Sequence, residues 1–425
     1  MDTIVALATA QGRAGVAIIR ASGDQAFDLC EAIAGFVPAE REVRWARFRD
    51  ATGSVIDTGL VLAFEQGRSF TGERVCEFQV HGSVAVAGAM LRACLAVEGV
   101  RAAEAGEFTR RAFLNGRMDL TEVEALADLI DAETDAQRRQ ALSVMDGSAR
   151  AMVEGWREDL LQSLAMMEAA LDFADEELPD DLTEHVVSPL RSVQGSLQRQ
   201  LAGRRASESV RSGFEVAIIG RVNAGKSTLL NALAGRDAAI TSSRAGTTRD
   251  VIEVRMELDG LAVTLIDTAG LRESDDEIEQ TGIERGQSRA ARADLRVFLQ
   301  SSPDEEPVNV VDGDIVALSK ADLWGIEGLS AQNGQGISDL VGRITDELRD
   351  RAQDSSVFTR ERHFDKLTRA QERIDAALDA LGRGVDWDLV SEDVKAGIRA
   401  LDGIIGRVDV EDVLGRIFAS FCIGK

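Results

Sequence analysis

The sequence has little of what a disulfide-stapled or metal-built fold needs. Its 425 residues include four cysteines, Cys30, Cys76, Cys94 and Cys422, and no two of them form a CxxC pair. That usage argues against a zinc site and a disulfide framework, and it points to a reducing cytoplasm. Long apolar runs are missing as well. No stretch approaches the roughly 18 residues of a membrane span, so no membrane association is expected. No basic leader precedes the apolar run in MDTIVALATAQGR, so no signal peptide is expected. Positive charge is also scarce, with 48 Lys and Arg against 73 Asp and Glu and a formal net charge of -25. A protein that grips nucleic acid over its whole surface is normally basic, because phosphate neutralisation dominates that affinity. Any RNA contact here must be local or made by a partner.

What is present is the composition of a globular protein, 44% hydrophobic and 28% charged, with length for two or three domains. Residues 1–118 alternate short apolar runs with glycines. TIVALA, GVAIIR, GLVLAF and CEFQVHG read as strands and residues 85–97 as a helix, which together make an α/β domain. From Asp119 the apolar spacing becomes helical and continues through LLQSLAMMEAALDFADE. Pro179 and Pro189 are expected to interrupt it, with a further helix in SVQGSLQRQLAG. At Phe214 the pattern changes to a buried strand, FEVAIIG, and residues 214–350 alternate strands and helices. Helical spacing returns over 351–425. The simplest account is one helical domain built from 119–213 and 351–425, with 214–350 inserted at its surface.

The inserted segment carries the chemistry. GRVNAGKST at 220–228 fits GxxxxGK[ST], follows an apolar strand and opens into the helix STLLNALAG. The glycines let backbone N–H groups turn towards phosphates, Lys226 reaches their oxygens, and Ser227 offers a hydroxyl to Mg²⁺. Further elements follow in order. Thr248, in GTTRD at 246–250, is placed as a switch threonine on Mg²⁺. DTAG at 267–270 ends the strand LAVTLI, so Asp267 supports the metal through water and Gly270 donates its N–H to a γ-phosphate. SKAD at 319–322 ends the strand DIVAL; Asp322 can accept from guanine N1 and N2 while Lys320 lies along the base. SAQNGQG at 330–336 places backbone amides near guanine O6. The expected nucleotide contacts are therefore Asn223, Ala224, Gly225, Lys226, Ser227 and Thr228; Thr247 and Thr248; Asp267, Thr268, Ala269 and Gly270; and Ser319, Lys320, Asp322, Ser330 and Ala331. Magnesium falls to Ser227 and Thr248. The ordered set argues for guanine.

Two details bear on hydrolysis. Leu271 follows DTAG and cannot orient water as a glutamine there does. Asn223 lies inside the phosphate loop, where its side-chain oxygen either faces a monovalent cation or braces the loop. The loops are also short. Ser301–Gly313 is brief for a helical crossover between parallel strands, and few residues separate SKADLW from SAQNG. Either the domain is pared down or loop residues are missing.

These motifs carry a family resemblance over essentially the whole chain. DTIVALATAQGRAGVAIIRASG at 2–23, TGERVCEFQVHG at 71–82 and AGEFTRRAFLNGRMDLTEVEALADLI at 105–130 resemble the MnmE (TrmE) family of bacterial tRNA-modification GTPases. So do NAGKSTLLNALAG, AGTTRD, DTAGLRE, TGIER and the ending FCIGK. The resemblance implies a multidomain α/β plus all-α fold: an N-terminal α/β folate-binding and dimerisation domain, a helical domain from both flanks, and an inserted Ras-like G domain. It implies a homodimer whose G domains approach when GTP and potassium bind. It also implies a flavoprotein partner, MnmG or GidA, and joint modification of C5 of the tRNA wobble uridine with a folate-derived one-carbon unit. Asn223, Ser242, Arg244 and Thr247 match the potassium site, Arg244 through its backbone carbonyl because a cationic side chain repels the ion. Glu279 matches the catalytic residue that positions water. Arg20, Glu77, Arg117 and Lys425 match the 5-formyltetrahydrofolate pocket, where cations suit a glutamate tail and a carboxylate accepts from pterin N–H groups. Cys422 is the family cysteine. One departure stands out: SKAD replaces NKxD, so Ser319 cannot make both amide contacts of an asparagine, and modestly weaker nucleotide holding is expected. Two alternatives compete. A ribosome-assembly or regulatory GTPase shares the central motifs but has no reason to carry the flanks, and a folate-dependent tRNA-binding scaffold would use hydrolysis only as a switch.

Overall fold

The chain, seen in a computed structural model, is described over residues 2–40, 42–172, 182–221, 223–235, 253–267, 289–306, 310–311, 313–408, 414–415, 417–418, 421 and 424. It forms two compact units, residues 1–127 with 402–425, and residues 128–401.

The first unit is laid out by period-two patterning. Its strands are β1 (Thr3–Leu7), β2 (Val16–Ser22), β3 (Arg44–Arg49), β4 (Val55–Phe64), β5 (Val75–His81) and β6 (Val100–Ala102). They pair in the order β3-β4-β5-β2-β1-β6, antiparallel except β1 with β6. Alternate side chains face opposite sides of a sheet. Ile19, Ala21, Cys76, Phe78 and Phe48 turn to one side and pack with Leu29 and Cys30 of α1 (Ala26–Ala34) and Met90 and Cys94 of α2 (Val84–Leu95). The three cysteines there are buried and free, and burial pushes the Cys94 thiol up to about 12. They serve as small apolar residues. Ile4 and Ala6 turn to the other side, against Phe108 of α3 (Glu107–Leu114).

α3 also carries a buried ion cluster. Arg111 reaches Glu107 and Glu73, each at 3.0 Å, and Asp2 at 2.8 Å. Burial alone would raise the Glu107 carboxyl, but hydrogen bonds from Arg101, the Glu104 backbone and Arg111 hold it at about 2. Beyond α3 comes α4 (Leu120–Asp131). Val123 on α4 packs with Phe418 and Phe421 near the chain end.

The second unit begins with α5 (Asp135–Met145), α6 (Ser148–Asp172), α7 (Leu182–Ala202) and α8 (Arg204–Ser212). Contrary to expectation, α7 runs through Pro189. The ring deletes one helical hydrogen bond, but Val186, Leu190, Val193 and Leu197 are fully buried along the same stripe. Ser163 Oγ on α6 also donates to Val186 O at 3.0 Å. Tertiary packing carries the helix past the proline. Pro179 lies outside the described residues.

The unit's sheet contains β7 (Phe214–Gly220), β8 (Glu253–Leu258), β9 (Leu261–Asp267), β10 (Leu295–Gln300) and β11 (Ile315–Leu318), in the order β11-β10-β7-β9-β8. Only the β8–β9 pair is antiparallel. β7 is central and parallel to both neighbours, which is why FEVAIIG is an almost unbroken apolar run. α9 (Lys226–Ala234) follows β7, and α10 (Ala321–Trp324) and α11 (Ile337–Gln353) follow β11. Ile337, Leu340, Ile344 and Leu348 give α11 one apolar stripe that packs on the sheet core. α12 (Glu361–Gly382) and α13 (Trp387–Ile405) follow. α7 packs against both α6 and α12, so helical segments before and after the sheet share a core. In the segment DVLGRIFASF, expected to be helical, the described residues 414–415 and 417–418 are helical.

Candidate nucleotide and folate sites

The sequence places Gly220 at the C-terminal end of the central strand, where open parallel sheets bind ligands. A Cβ on Gly220 would stand 2.7 Å from Leu299 O and 3.2 Å from Ala224 Cβ, so only glycine lets the loop leave the strand this closely. The loop turns through Asn223 at φ 65 and Gly225 at φ 93, both left-handed, and asparagine tolerates that region better than most residues. It then opens into α9, whose first-turn N–H groups lack intrahelical partners and favour an anion.

Lys226 is buried and its Nζ donates to Gly220 O at 2.6 Å and Arg221 O at 3.0 Å. Burial lowers its pKa from the ordinary lysine value, with the Asp267 carboxylate opposing. Ser227 Oγ donates to Asp267 Oδ2 at 2.7 Å, which brings two hard oxygen donors from β9 and α9 together. That pair fits Mg²⁺. Asn223 is exposed and, among the described residues, its side chain makes no hydrogen bond. Ala224 is buried and Thr228 exposed.

The base-reading segments also meet. Leu329 N donates to Leu318 O at 2.7 Å and Ala321 N donates to Leu329 O at 3.0 Å, so the SKAD and SAQ turns lie side by side across a single parallel bridge, Ser319 to Leu329. Lys320, at φ 56, starts α10, and Asp322 in its first turn is exposed. Ser330 is 1% exposed and its Oγ has no hydrogen-bond partner among the described residues. An orphaned buried hydroxyl beside Asp322 fits a site completed by a polar ligand. Ala331 follows, half-buried. Ser319 Oγ sits 2.7 Å from Ala224 O and 2.8 Å from Gln300 O. The serine therefore shares one hydroxyl proton between the phosphate loop and β10.

Thr247, Thr248, Ser242, Arg244, Thr268, Ala269, Gly270 and Glu279 lie outside the described residues, as do Lys425 and Cys422.

In the first unit, Arg20 and Glu77 are direct cross-strand partners on β2 and β5. Their side chains pair at 2.7 Å on the sheet face opposite α1 and α2. The Arg20 guanidinium also lies 5.6 Å from the Phe70 ring centre and 5.9 Å from that of Phe108. These two rings were not singled out in the sequence, although Phe108 lies inside AGEFTRR. Arg117 is exposed, and its Cγ would be 3.2 Å from a Cβ on Gly72, two residues from Phe70. A half-buried arginine–glutamate pair floored by aromatic rings suits a flat heterocycle with an anionic tail.

Comparison with known proteins decides the family. Residues 3–117 match the model described as the GTP-binding protein TrmE N-terminus, and residues 120–422 match that of the MnmE helical domain. The chain belongs to the MnmE family. It is 51% identical over 429 residues to the tRNA modification GTPase MnmE of Roseobacter denitrificans. It is 50% identical over 428 residues to that of Ruegeria pomeroyi and 47% identical over 444 residues to that of Paramagnetospirillum magneticum. Each match covers 100% of both chains. The chain's architecture is the multidomain one expected, with an N-terminal domain, a helical domain and a mixed α/β G domain. No helix among the described residues is long and apolar enough to cross a membrane.

Proposed function

We propose that the chain is a GTP hydrolase that takes part in modification of the wobble uridine of tRNA. The observation that carries this reading is the ordered phosphate loop, with Lys226 and the Ser227–Asp267 pair, in a chain matched along its whole length by tRNA modification GTPases. The match of both flanks favours it over a ribosome-assembly or regulatory GTPase, which would share only the central motifs.

Asn223, Ala224, Gly225, Lys226, Ser227 and Thr228 hold the phosphates. Ser227 and Thr248 would hold Mg²⁺, which when bound would neutralise charge that develops on the phosphoryl group. Ser319, Lys320, Asp322, Ser330 and Ala331 read guanine. Asn223, Ser242, Arg244 and Thr247 hold potassium, and Glu279 orients the attacking water. Arg20, Glu77, Arg117 and Lys425 hold 5-formyltetrahydrofolate or a related folate in a homodimer that works in the cytoplasm with the flavoprotein MnmG (GidA). Contacts to tRNA are local, as the net charge of -25 requires. The N-terminal domain spans 1–118, the helical domain 119–213 and 351–425, and the G domain 214–350.

Two measurements test the ligand assignments. Asp322→Asn removes the acceptor for guanine N1–H and N2–H, and a hydrogen bond to a charged group is worth about 1.5–3 kcal/mol. GTP affinity is expected to fall by roughly 10–150-fold, with relaxed discrimination against xanthosine triphosphate. Unchanged GTP affinity in a nucleotide titration would remove Asp322 from the base site. For the second ligand, calorimetry is expected to show 5-formyltetrahydrofolate binding to the wild type and weaker binding to Arg20→Ala. No heat with the wild type, and no competition by related folates, would count against the pocket.

A further inference from the structure

Parallel strands such as β10 and β11 are usually joined by a crossover of a dozen or more residues built on a helix. Here residues 301–314 make the connection, and none of the described ones is helical. Beside the start of this connection lies a cavity of about 230 Å³, lined by Ile219 and Gly220 of β7, Arg221, and Phe298, Leu299 and Gln300 of β10. The phosphate loop therefore leaves its strand beside this cavity.

Glu305 occupies the edge of that space. Its Oε2 accepts from Ser301 N at 2.7 Å and Ser301 Oγ at 2.6 Å, and its backbone carbonyl accepts from Gln300 Nε2 at 2.6 Å. These bonds fix the carboxylate in place and depress its pKa. Its Oε1 lies 3.1 Å from Nε of Arg221, the first residue of the phosphate loop after Gly220. The Glu305 side chain is 9% exposed and that of Arg221 72% exposed, so the carboxylate is the fixed anchor and the arginine the tethered group. The far end of the loop is tied to the same segment, because Ser319 reaches both Ala224 O and Gln300 O. Arg221 and Ala224 are thus joined by a closed path through Glu305, Gln300 and Ser319.

We infer that Glu305 is a positioning residue for nucleotide binding, holding the phosphate loop in its binding shape through Arg221. The inference rests on the GTP reading above. Glu305 acts on the fraction of molecules whose loop is formed, and apparent affinity scales with that fraction. The chemical step on bound GTP does not depend on it directly.

Glu305→Gln tests this, since an amide oxygen can still accept from Ser301 while the charge facing Arg221 is lost. The KM for GTP and the dissociation constant of GDP are expected to rise about threefold to fivefold, the scale of one partly exposed ion pair. The kcat is expected to fall less than twofold. Arg221→Ala, which removes an exposed side chain and leaves the core intact, is expected to match it, and Arg221→Lys to recover at least half of the loss. The double variant is expected to be no weaker than either single one, because both remove the same contact. Wild-type GDP affinity in Glu305→Gln, or effects of the two single variants that add in the double one, would overturn the inference while leaving the GTP reading standing. A wild-type protein that binds no GTP would overturn both.

Discussion

Glu279→Ala is expected to lower GTP turnover by about 10²–10³-fold, the scale of losing a residue that handles the attacking water. GTP binding and potassium-driven pairing of G domains should survive the change. The expectation has two grounds. Leu271 follows DTAG, and a leucine there can neither donate to nor accept from water, so another polar group must orient it. Glu279 is acidic, follows that motif closely in DDEIEQTGIER, and is the residue proposed above to orient the water. Single-turnover hydrolysis with saturating enzyme separates the step from binding. A Glu279→Ala enzyme that hydrolyses GTP as fast as wild type would show that the water is held elsewhere.

The second large effect concerns the cation. GTP turnover in potassium chloride is expected to exceed that in sodium chloride at equal ionic strength by about 10–100-fold, and Asn223→Ala should abolish the difference. Asn223 sits exposed at φ 65 in the phosphate loop, its side chain without a hydrogen bond among the described residues. A cation beside the phosphates would stabilise the charge that develops during transfer, the part played elsewhere by an arginine finger. Closure of the Ser242–Thr247 loop over the ion, held by a second G domain, would couple hydrolysis to pairing. Sodium is smaller, and oxygens spaced for potassium serve it poorly. Light scattering sensitive to dimer size should rise with GTP in potassium and stay low in sodium. Equal turnover in both salts would contradict the mechanism.

The parts legible in the sequence are those written in local pattern. FEVAIIG followed by GRVNAGKST could be placed as a strand, a loop and a helix because apolar run, glycines and helix formers succeed one another without a gap. TIVALA, GVAIIR, GLVLAF and CEFQVHG fall on β1, β2, β4 and β5 for the same reason. β3 escaped notice because RWARFR turns only Ala46 and Phe48 inward, and its arginines hide the alternation. Pro189 misled because a proline's cost is local, while the stripe that overrides it depends on α6 and α12. The connections that shape the sites are between distant residues. Ser319 bonds to Ala224 across 95 positions and Arg111 to Glu73 across 38, and neither pairing has a spacing rule. The substitution of Ser319 for an asparagine read as a weakness in the sequence. In the fold its hydroxyl still reaches the phosphate loop and β10 together.

The central claim is that GTP hydrolysis by this chain serves wobble-uridine modification. Its most direct measurement is nucleoside analysis of tRNA from cells lacking the gene, complemented with either the wild-type chain or Glu279→Ala. The account predicts loss of the aminomethyl and carboxymethylaminomethyl groups at C5 of the wobble uridine, restoration by the wild type, and failure of Glu279→Ala to restore them. Unaltered wobble uridine in cells lacking the gene would contradict it.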